Sequence, residues 1–271
     1  MHPILFNIGR LEIRSYGAML ALSFLIGIFW ASKRAEKRGL NPNQVVDLSL
    51  LILLSSIIGS RILYVLTHLN EFRGHWIDTV NPFQSTGQIG IAGLTLLGGV
   101  LLSIIVIIMY CRWKNIPLLK LFDVIAPVFG LGVFLTRIGC FLNGCCYGIP
   151  SDLPWAVKFP FISAAGYHFY DTAIHPAQLY SSLYGLFMMV VLVIVDKKKH
   201  VDGFLTSLAF IMYGIFRFLV DFVRYYEETD MVPLGFTEIT INQLISLGMI
   251  VFGIILLIVL QKKNNKRIGI A

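Results

Sequence analysis

The chain has 271 residues, of which 56% are hydrophobic and 14% charged, with a net charge of +7 and a mean hydropathy of +0.76. Soluble domains run at about 45–50% apolar and about 25% charged, so this composition excludes a water-soluble globule and predicts an integral membrane protein. The positive charge does not point to nucleic acid, because the basic residues sit in short loops between apolar runs and form no stripe with interleaved aromatics.

Residues 1–15 carry polar and charged side chains without a continuous apolar core, so no cleavable signal peptide is expected. A helix that crosses the hydrocarbon core needs about 20 mostly apolar residues. Seven runs meet that need, at residues 16–32, 45–69, 89–111, 118–141, 176–196, 203–223 and 241–260. The predicted fold class is all-α: a polytopic membrane protein with seven transmembrane helices, forming one domain over residues 1–271. An odd number of spans puts the termini on opposite sides. The first, third and fifth loops and the tail hold 14 of the 22 Lys and Arg residues, including Lys33, Arg34, Lys114, Lys197 and Lys262. The positive-inside rule then places the N-terminus outside and the C-terminus in the cytoplasm. Glu227, Glu228, Asp230 and Glu238 fall on the outer side in that topology. Residues 70–88 and 149–175 are too long for tight turns and carry Trp76, Trp155, Phe159, Phe161, Tyr167 and Tyr170. That mixture predicts short amphipathic or extended pieces at the outer interface, a small head over the helices.

The chemistry concentrates in residues 136–148, Thr-Arg-Ile-Gly-Cys-Phe-Leu-Asn-Gly-Cys-Cys-Tyr-Gly, which close a long apolar run. A charge inside a span costs about 2.5–3.5 kcal/mol even on insertion scales, so Arg137 is the first functional candidate. At about 1.5 Å rise per residue, Arg61, Arg137 and Arg217 all reach the outer half of their helices. Tyr16 opens the first helix and His175 stands just before the fifth, at the same level. Asp221 lies four residues after Arg217 on one helical face, which predicts an orienting ion pair. Blander readings stand beside these: Arg61 snorkelling to headgroups, Arg224 as a headgroup anchor, and Tyr16 as a belt residue. Gly87, Gly90, Gly93, Gly98 and Gly99 crowd the start of the third helix, while Gly130, Gly132 and Gly139 recur in the fourth. Such small residues let helices approach closely and can also leave room for a lipid. Cys140, Cys145 and Cys146 could bind metal, act as nucleophiles, form a disulfide or simply fill space. Metal is not expected, because Cys-x4-Cys-Cys lacks a matching second pair; adjacent cysteines rarely bridge, which leaves inert packing as the default.

Three motifs carry a resemblance: Arg-Ser-Tyr-Gly at 14–17, Arg-Ile-Gly-x-Phe-x-Asn-Gly-x-x-x-Gly at 137–148 and His-Pro-x-Gln-Leu-Tyr at 175–180. Gly-Ser-Arg-Ile-Leu-Tyr-Val at 59–65 and Tyr-Gly-x-Phe-Arg-Phe at 213–218 add to it. Over nearly its whole length the chain resembles the bacterial prolipoprotein diacylglyceryl transferase family. The resemblance implies an inner-membrane enzyme that takes the diacylglyceryl group of phosphatidylglycerol and joins it by a thioether to the lipobox cysteine of a prolipoprotein signal peptide. It implies membrane lipid as a partner, no nucleic acid, and no cofactor or metal. With the residue reading, it nominates Arg137, Arg217, Tyr16 and His175 as catalytic, and Arg61, Asn143, Gly98, Gly99, Gly148 and Asp221 as substrate-binding, Asp221 standing where the family has glutamate. Arginine offers a departing phosphate a fixed, permanently charged fork. Making a thiolate at pH 7 from a thiol of pKa about 8.5 costs about 2 kcal/mol, which nearby guanidinium charge can offset.

The departures from the family pattern are specific. Leu97 stands where a histidine usually precedes the Gly-Gly of the third helix, Cys140 and Cys145 replace an asparagine and a glutamate, and Ser181 replaces the glutamate after Gln-Leu-Tyr. Either charge alone activates the thiol, or His175 substitutes for the histidine, or the chain is a divergent paralogue that transfers lipid to another acceptor; a non-enzymatic transporter or lipid-binding membrane protein is a further alternative from another class. A transporter would carry inverted repeats and a midplane polar site, neither of which the sequence contains.

Overall fold

The computed structural model describes residues 2–8, 11–72, 79, 93–226, 231–234 and 237–268. Arg10, Arg73, Trp76, Gly87, Gly90, Glu227, Glu228 and Asp230 lie outside these described residues. A hairpin of β1 (Ile4–Ile8) and β2 (Leu11–Arg14) leads into α1 (Ser15–Lys37), followed by α2 (Pro42–Thr67), α3 (Leu96–Trp113) and α4 (Leu118–Asn143). The short α5 (Ala164–His168) precedes α6 (Ala177–Asp196) and α7 (Phe204–Val220), which runs on as a 3-10 turn at Asp221–Val223. A second hairpin, β3 (Met231–Leu234) and β4 (Thr237–Thr240), leads into α8 (Ile241–Ile268).

All seven predicted spans are helices, and α1, α2, α3, α4, α6, α7 and α8 are each long and apolar enough to cross a membrane. The chain is a multi-pass membrane protein. Leu25, Leu54, Met109, Leu183 and Val259 are each more than half exposed, as lipid-facing side chains should be. Three boundaries need correction: α1 runs on to Lys37 and α8 to Ile268, past the apolar runs that end at 32 and 260, and α3 begins at Leu96 rather than at residue 89, because Gly93 takes φ +74° and Thr95 stands extended as the N-cap.

The chain forms two compact units, one of Met1–Arg34 with Leu119–Ala271 and one of Ala35–Leu118. In the smaller, Asn41 caps α2 by accepting from the Asn43 amide at 2.9 Å, with Pro42 in the first turn. Helices α2 and α3 then cross at Gly59 and Gly98, where a Cβ added to Gly98 would lie 2.2 Å from the Gly59 carbonyl oxygen. Only glycine permits that approach, and a Ser55–Ser103 hydroxyl pair at 3.3 Å joins the same helices.

In the larger unit α1 runs antiparallel to α4, with Gly27 against Val128 and Met19 against Gly139. The other side of α4 meets α6 at Gly130 and Gly185, and Ala126, Met188, Leu192, Leu205 and Ala209 fill the core among α4, α6 and α7. The first turn of α7 is satisfied from outside. The fully buried Asp123 of α4 accepts from the Gly203 amide (2.8 Å), the Thr206 amide (2.8 Å) and the Thr206 hydroxyl (2.7 Å). A carboxylate there meets two orphan amides and the positive end of the helix dipole. Helix α8 starts with a reciprocal capping box, the Gln243 amide donating to Thr240 Oγ1 and the Thr240 amide to Gln243 Oε1, both at 3.0 Å.

Asp123→Ala strands three buried donors at the α7 N-terminus. At about 1–3 kcal/mol for an unsatisfied buried group, the variant should lose roughly 3 kcal/mol. A clear fall in thermal unfolding temperature in detergent checks this; an unchanged Tm contradicts the capping role.

Candidate functional site

The site begins where α4 stops. Gly144 takes φ +72° and donates its amide to the Phe141 carbonyl at 3.2 Å, and the Cys145 amide reaches back to the Cys140 carbonyl at 3.1 Å. These two bonds are the paired closing bonds of a Schellman motif, with glycine at the left-handed position. The motif brings the residue three before the cap against the second residue beyond it, here Cys140 and Cys145. Cys146 follows with φ +56°, uncommon for a residue with a side chain. The Cys145 carbonyl is held by the amide of the fully buried Gln178 at 2.8 Å. As a result the sulfurs of Cys140, Cys145 and Cys146 all lie within 4.8 Å of one another, with Asn143 beside Cys145.

The chain leaves this turn as a strap. Residues 147–149 run between 223–225 and 174–175: Gly148 donates to the His175 carbonyl (3.1 Å), Ile149 to the Val223 carbonyl (3.0 Å), and Tyr225 to the Tyr147 carbonyl (3.1 Å). A Cβ on Gly148 would meet the His175 carbonyl at 2.5 Å and the Val223 carbonyl at 2.6 Å, so the position tolerates no side chain. Gly148 also bridges to Arg224. Phe159, Ala165 and Ile174 make a small core of their own, with Phe141, Tyr147, Val157 and Phe169 packed on it. The predicted extended and helical pieces of residues 149–175 thus form a structured layer.

Arg137 projects from the last turns of α4 beside the Cys140 and Cys146 thiols and the Tyr213 hydroxyl of α7. Tyr16 of α1 lies beside the same three thiols and Arg137. Arg224 approaches Cys146 from the other side and sits 5.0 Å above the Tyr226 ring. Neither Arg137 nor Arg224 forms an ion pair with a carboxylate among the described residues. The Arg224 Nε is buried without a hydrogen-bond partner, as is the Gln178 Oε1. Orphaned buried polar atoms are rare in folded proteins. Thiol hydrogen bonds from Cys140 and Cys145 hold the Cys146 thiol well below the ordinary thiol range, and Arg224 and Arg137 act in the same direction.

Arg217 is in a different state. It donates to Asp221 Oδ1, as the i, i+4 spacing predicts, and to the Tyr226 hydroxyl at 2.7 Å. Tyr226 donates to the same carboxylate oxygen at 2.8 Å, and Thr240 Oγ1 donates to Asp221 Oδ2 at 2.6 Å. Asp221 is fully satisfied and Arg217 neutralised. The network ties the end of α7 to the start of α8 and supports the ring on which Arg224 rests.

The chain is similar to known proteins over almost its full length. The sequence profile for prolipoprotein diacylglyceryl transferase matches residues 3–259. The chain belongs to the prolipoprotein diacylglyceryl transferase family. It is 32% identical over 257 residues to the phosphatidylglycerol--prolipoprotein diacylglyceryl transferase of Clostridium tetani, covering 94% of this chain and 96% of that protein. The similarly named protein of Finegoldia magna is 30% identical over 268 residues, covering 98% of each chain. That of Aeromonas hydrophila is 32% identical over 264 residues, with 96% and 91% covered. The family is one of transferases, so the chain is an enzyme.

Tyr16, Arg137, Asn143 and Gly148 thus meet around the turn that closes α4, and Arg217 and Asp221 join them through Tyr226 and Arg224. His175 contributes its backbone to Gly148, but its ring faces elsewhere. Trp155 donates to the Tyr180 hydroxyl at 2.8 Å, which lies 3.1 Å from His175 Nδ1. Arg61, Gly98 and Gly99 belong to the smaller unit. The buried Arg61 donates to the Thr79 carbonyl (2.8 Å) and the Gly93 carbonyl (3.3 Å), while Gly98 and Gly99 face α2 at the helix crossing. Sequence reasoning missed Tyr213, Tyr226 and Gln178 and read Arg224 as a headgroup anchor. Gln178 had a signal, its place in His-Pro-x-Gln-Leu-Tyr. Tyr213 also had one, opening Tyr-Gly-x-Phe-Arg-Phe, whereas Tyr226 is a position that only the fold brings to Arg217 and Arg224.

Gly148→Ala should push the strap off its two neighbours. A misplacement of about 1 Å can cost about 100-fold in rate, so activity should fall by that order while helical circular dichroism persists. Wild-type turnover in this variant would remove Gly148 from the site.

Proposed function

We propose that this chain transfers the diacylglyceryl group of phosphatidylglycerol to the lipobox cysteine thiol of prolipoproteins. In this reading it works as one transmembrane domain in the bacterial inner membrane, with the N-terminus outside and the site in the outer leaflet. The observation that carries the reading is the pair of guanidinium groups of Arg137 and Arg224, which converge on Cys146 of the most specific family motif with no carboxylate ion pair among the described residues. A site that keeps two cations unneutralised in an apolar surround suits an anion that arrives with the substrate.

Phosphatidylglycerol supplies that anion as its phosphodiester. Arg137 and Arg224 would hold the phosphate oxygens, and Tyr16 and Tyr213 would fix the orientation of Arg137. The acceptor thiol loses its proton, its sulfur bonds to the terminal carbon of the diacylglyceryl group, and the carbon–oxygen bond to phosphate breaks. The electron pair stays with glycerol phosphate, which carries off the proton. Negative charge grows on the phosphate oxygens as that bond breaks, so fixed guanidinium forks bind the transition state more tightly than the ground state. Arg217, already paired, supports Arg224 through Tyr226.

Purified protein incubated with phosphatidylglycerol and a lipobox peptide should yield a thioether-linked diacylglyceryl peptide, detectable by mass spectrometry. Absence of product, with a family member active in parallel, refutes the assignment. Arg137→Ala should lower the rate by at least about 100-fold, the usual loss for one transition-state donor. Arg137→Lys should recover little, because a point charge does not reproduce the planar fork. Full activity of the lysine variant contradicts a bidentate hold on phosphate.

A further inference from the structure

We propose that Cys140, Cys145 and Cys146 form a three-thiolate site for a zinc ion whose open fourth position receives the acceptor thiol. The role of the fourth position rests on the transferase reading above; the metal site itself does not.

The argument begins with local geometry. A Cys-x4-Cys-Cys spacing has no matching second pair and gives no zinc signal as a sequence. The Schellman turn changes that, because it folds Cys145 back onto Cys140 and leaves Cys146 in a left-handed conformation beside both. Among the described residues these three are a group whose ligand atoms all lie within 4.8 Å of one another. Zn–S bonds of about 2.3 Å in tetrahedral geometry place sulfurs about 3.8 Å apart, so the thiols need close by only about 1 Å to hold one ion. Cys140 is buried and the other two half-buried, and Gln178 fixes the backbone that carries Cys145.

Charge supports the same assignment. One zinc with three thiolates carries a net charge of −1, and Arg137 and Arg224 flank that point with no carboxylate ion pair among the described residues. Zinc with three protein ligands keeps a fourth position open, which is how catalytic zinc sites differ from closed structural ones. A thiol that binds zinc is deprotonated outright. An acceptor cysteine taking that position would give up its proton to solvent and remain nucleophilic as a bound thiolate. Its sulfur then forms the carbon–sulfur bond as the carbon–oxygen bond to phosphate breaks, with no change in zinc oxidation state.

The test uses the full-length protein in detergent, stripped with a chelator and reloaded with Zn2+ or Co2+ in the absence of lipid and peptide. About one metal ion per chain should survive dialysis, and the cobalt form should show thiolate-to-metal charge-transfer absorption. Cys145→Ser and, separately, Cys146→Ser should weaken retention at least tenfold, whereas Cys111→Ser should not. Addition of a lipobox peptide should shift the cobalt spectrum, and its serine analogue should leave it unchanged. Retention unaffected by either serine substitution, or a Cys140–Cys145 disulfide in the isolated protein, overturns the site. A cobalt spectrum indifferent to the cysteine peptide overturns the role of the fourth position. Metal retained with the predicted thiol dependence but no transfer to peptide supports the site and overturns the functional reading instead.

Discussion

The uncompensated charge of Arg137 is the constraint on which the larger unit depends. A guanidinium at the end of an apolar helix is costly, and no carboxylate among the described residues relieves it. The surrounding elements hold it in place rather than neutralise it. Helix α1 brings Tyr16 to its side, α7 brings Tyr213, and the turn after α4 curls three thiols beneath it. The strap through Gly148 then carries Arg224 to the same place.

Three intramembrane arginines that look alike in sequence prove to be in three different states. Arg217 is saturated by Asp221 and Tyr226, Arg61 is spent on loop carbonyls of the smaller unit, and Arg137 lies beside thiols and the Tyr213 hydroxyl with no carboxylate ion pair among the described residues. Burial pushes the Tyr226 phenol up, which keeps it a hydrogen-bond donor to Asp221. The i, i+4 rule foretold one of these states because Arg217 and Asp221 share a single helix. The other two depend on what the fold sets opposite each arginine, which no local pattern encodes.

The same contrast holds for the fold. Seven apolar runs were legible because a membrane span is set by length and hydropathy alone, and the expected bounds of α2, α4 and α6 fall within three residues of the helices, whereas the polar extensions of α1 to Lys37 and α8 to Ile268 carry no apolar signal. The start of α3 was not, since Gly93 and Thr95 continue an apolar run while their backbone is already non-helical. The hairpins before α1 and α8 were also missed, because four- and five-residue strands leave a weak periodic signal. Glycine-rich stretches announced close helix approach, and Gly59–Gly98 and Gly130–Gly185 bear this out. The closeness of the three cysteines was not legible for a physical reason: spacing was read along the chain, whereas the Schellman turn sets it in space.

The account's central claim is that Arg137 grips the phosphate of the lipid donor. Native mass spectrometry of the detergent-purified protein, with phosphatidylglycerol and a zwitterionic lipid offered at equal concentration, tests it most directly. The account predicts preferential retention of phosphatidylglycerol by the wild type and loss of that preference in a folded Arg137→Gln variant. An unchanged preference in that variant would contradict it.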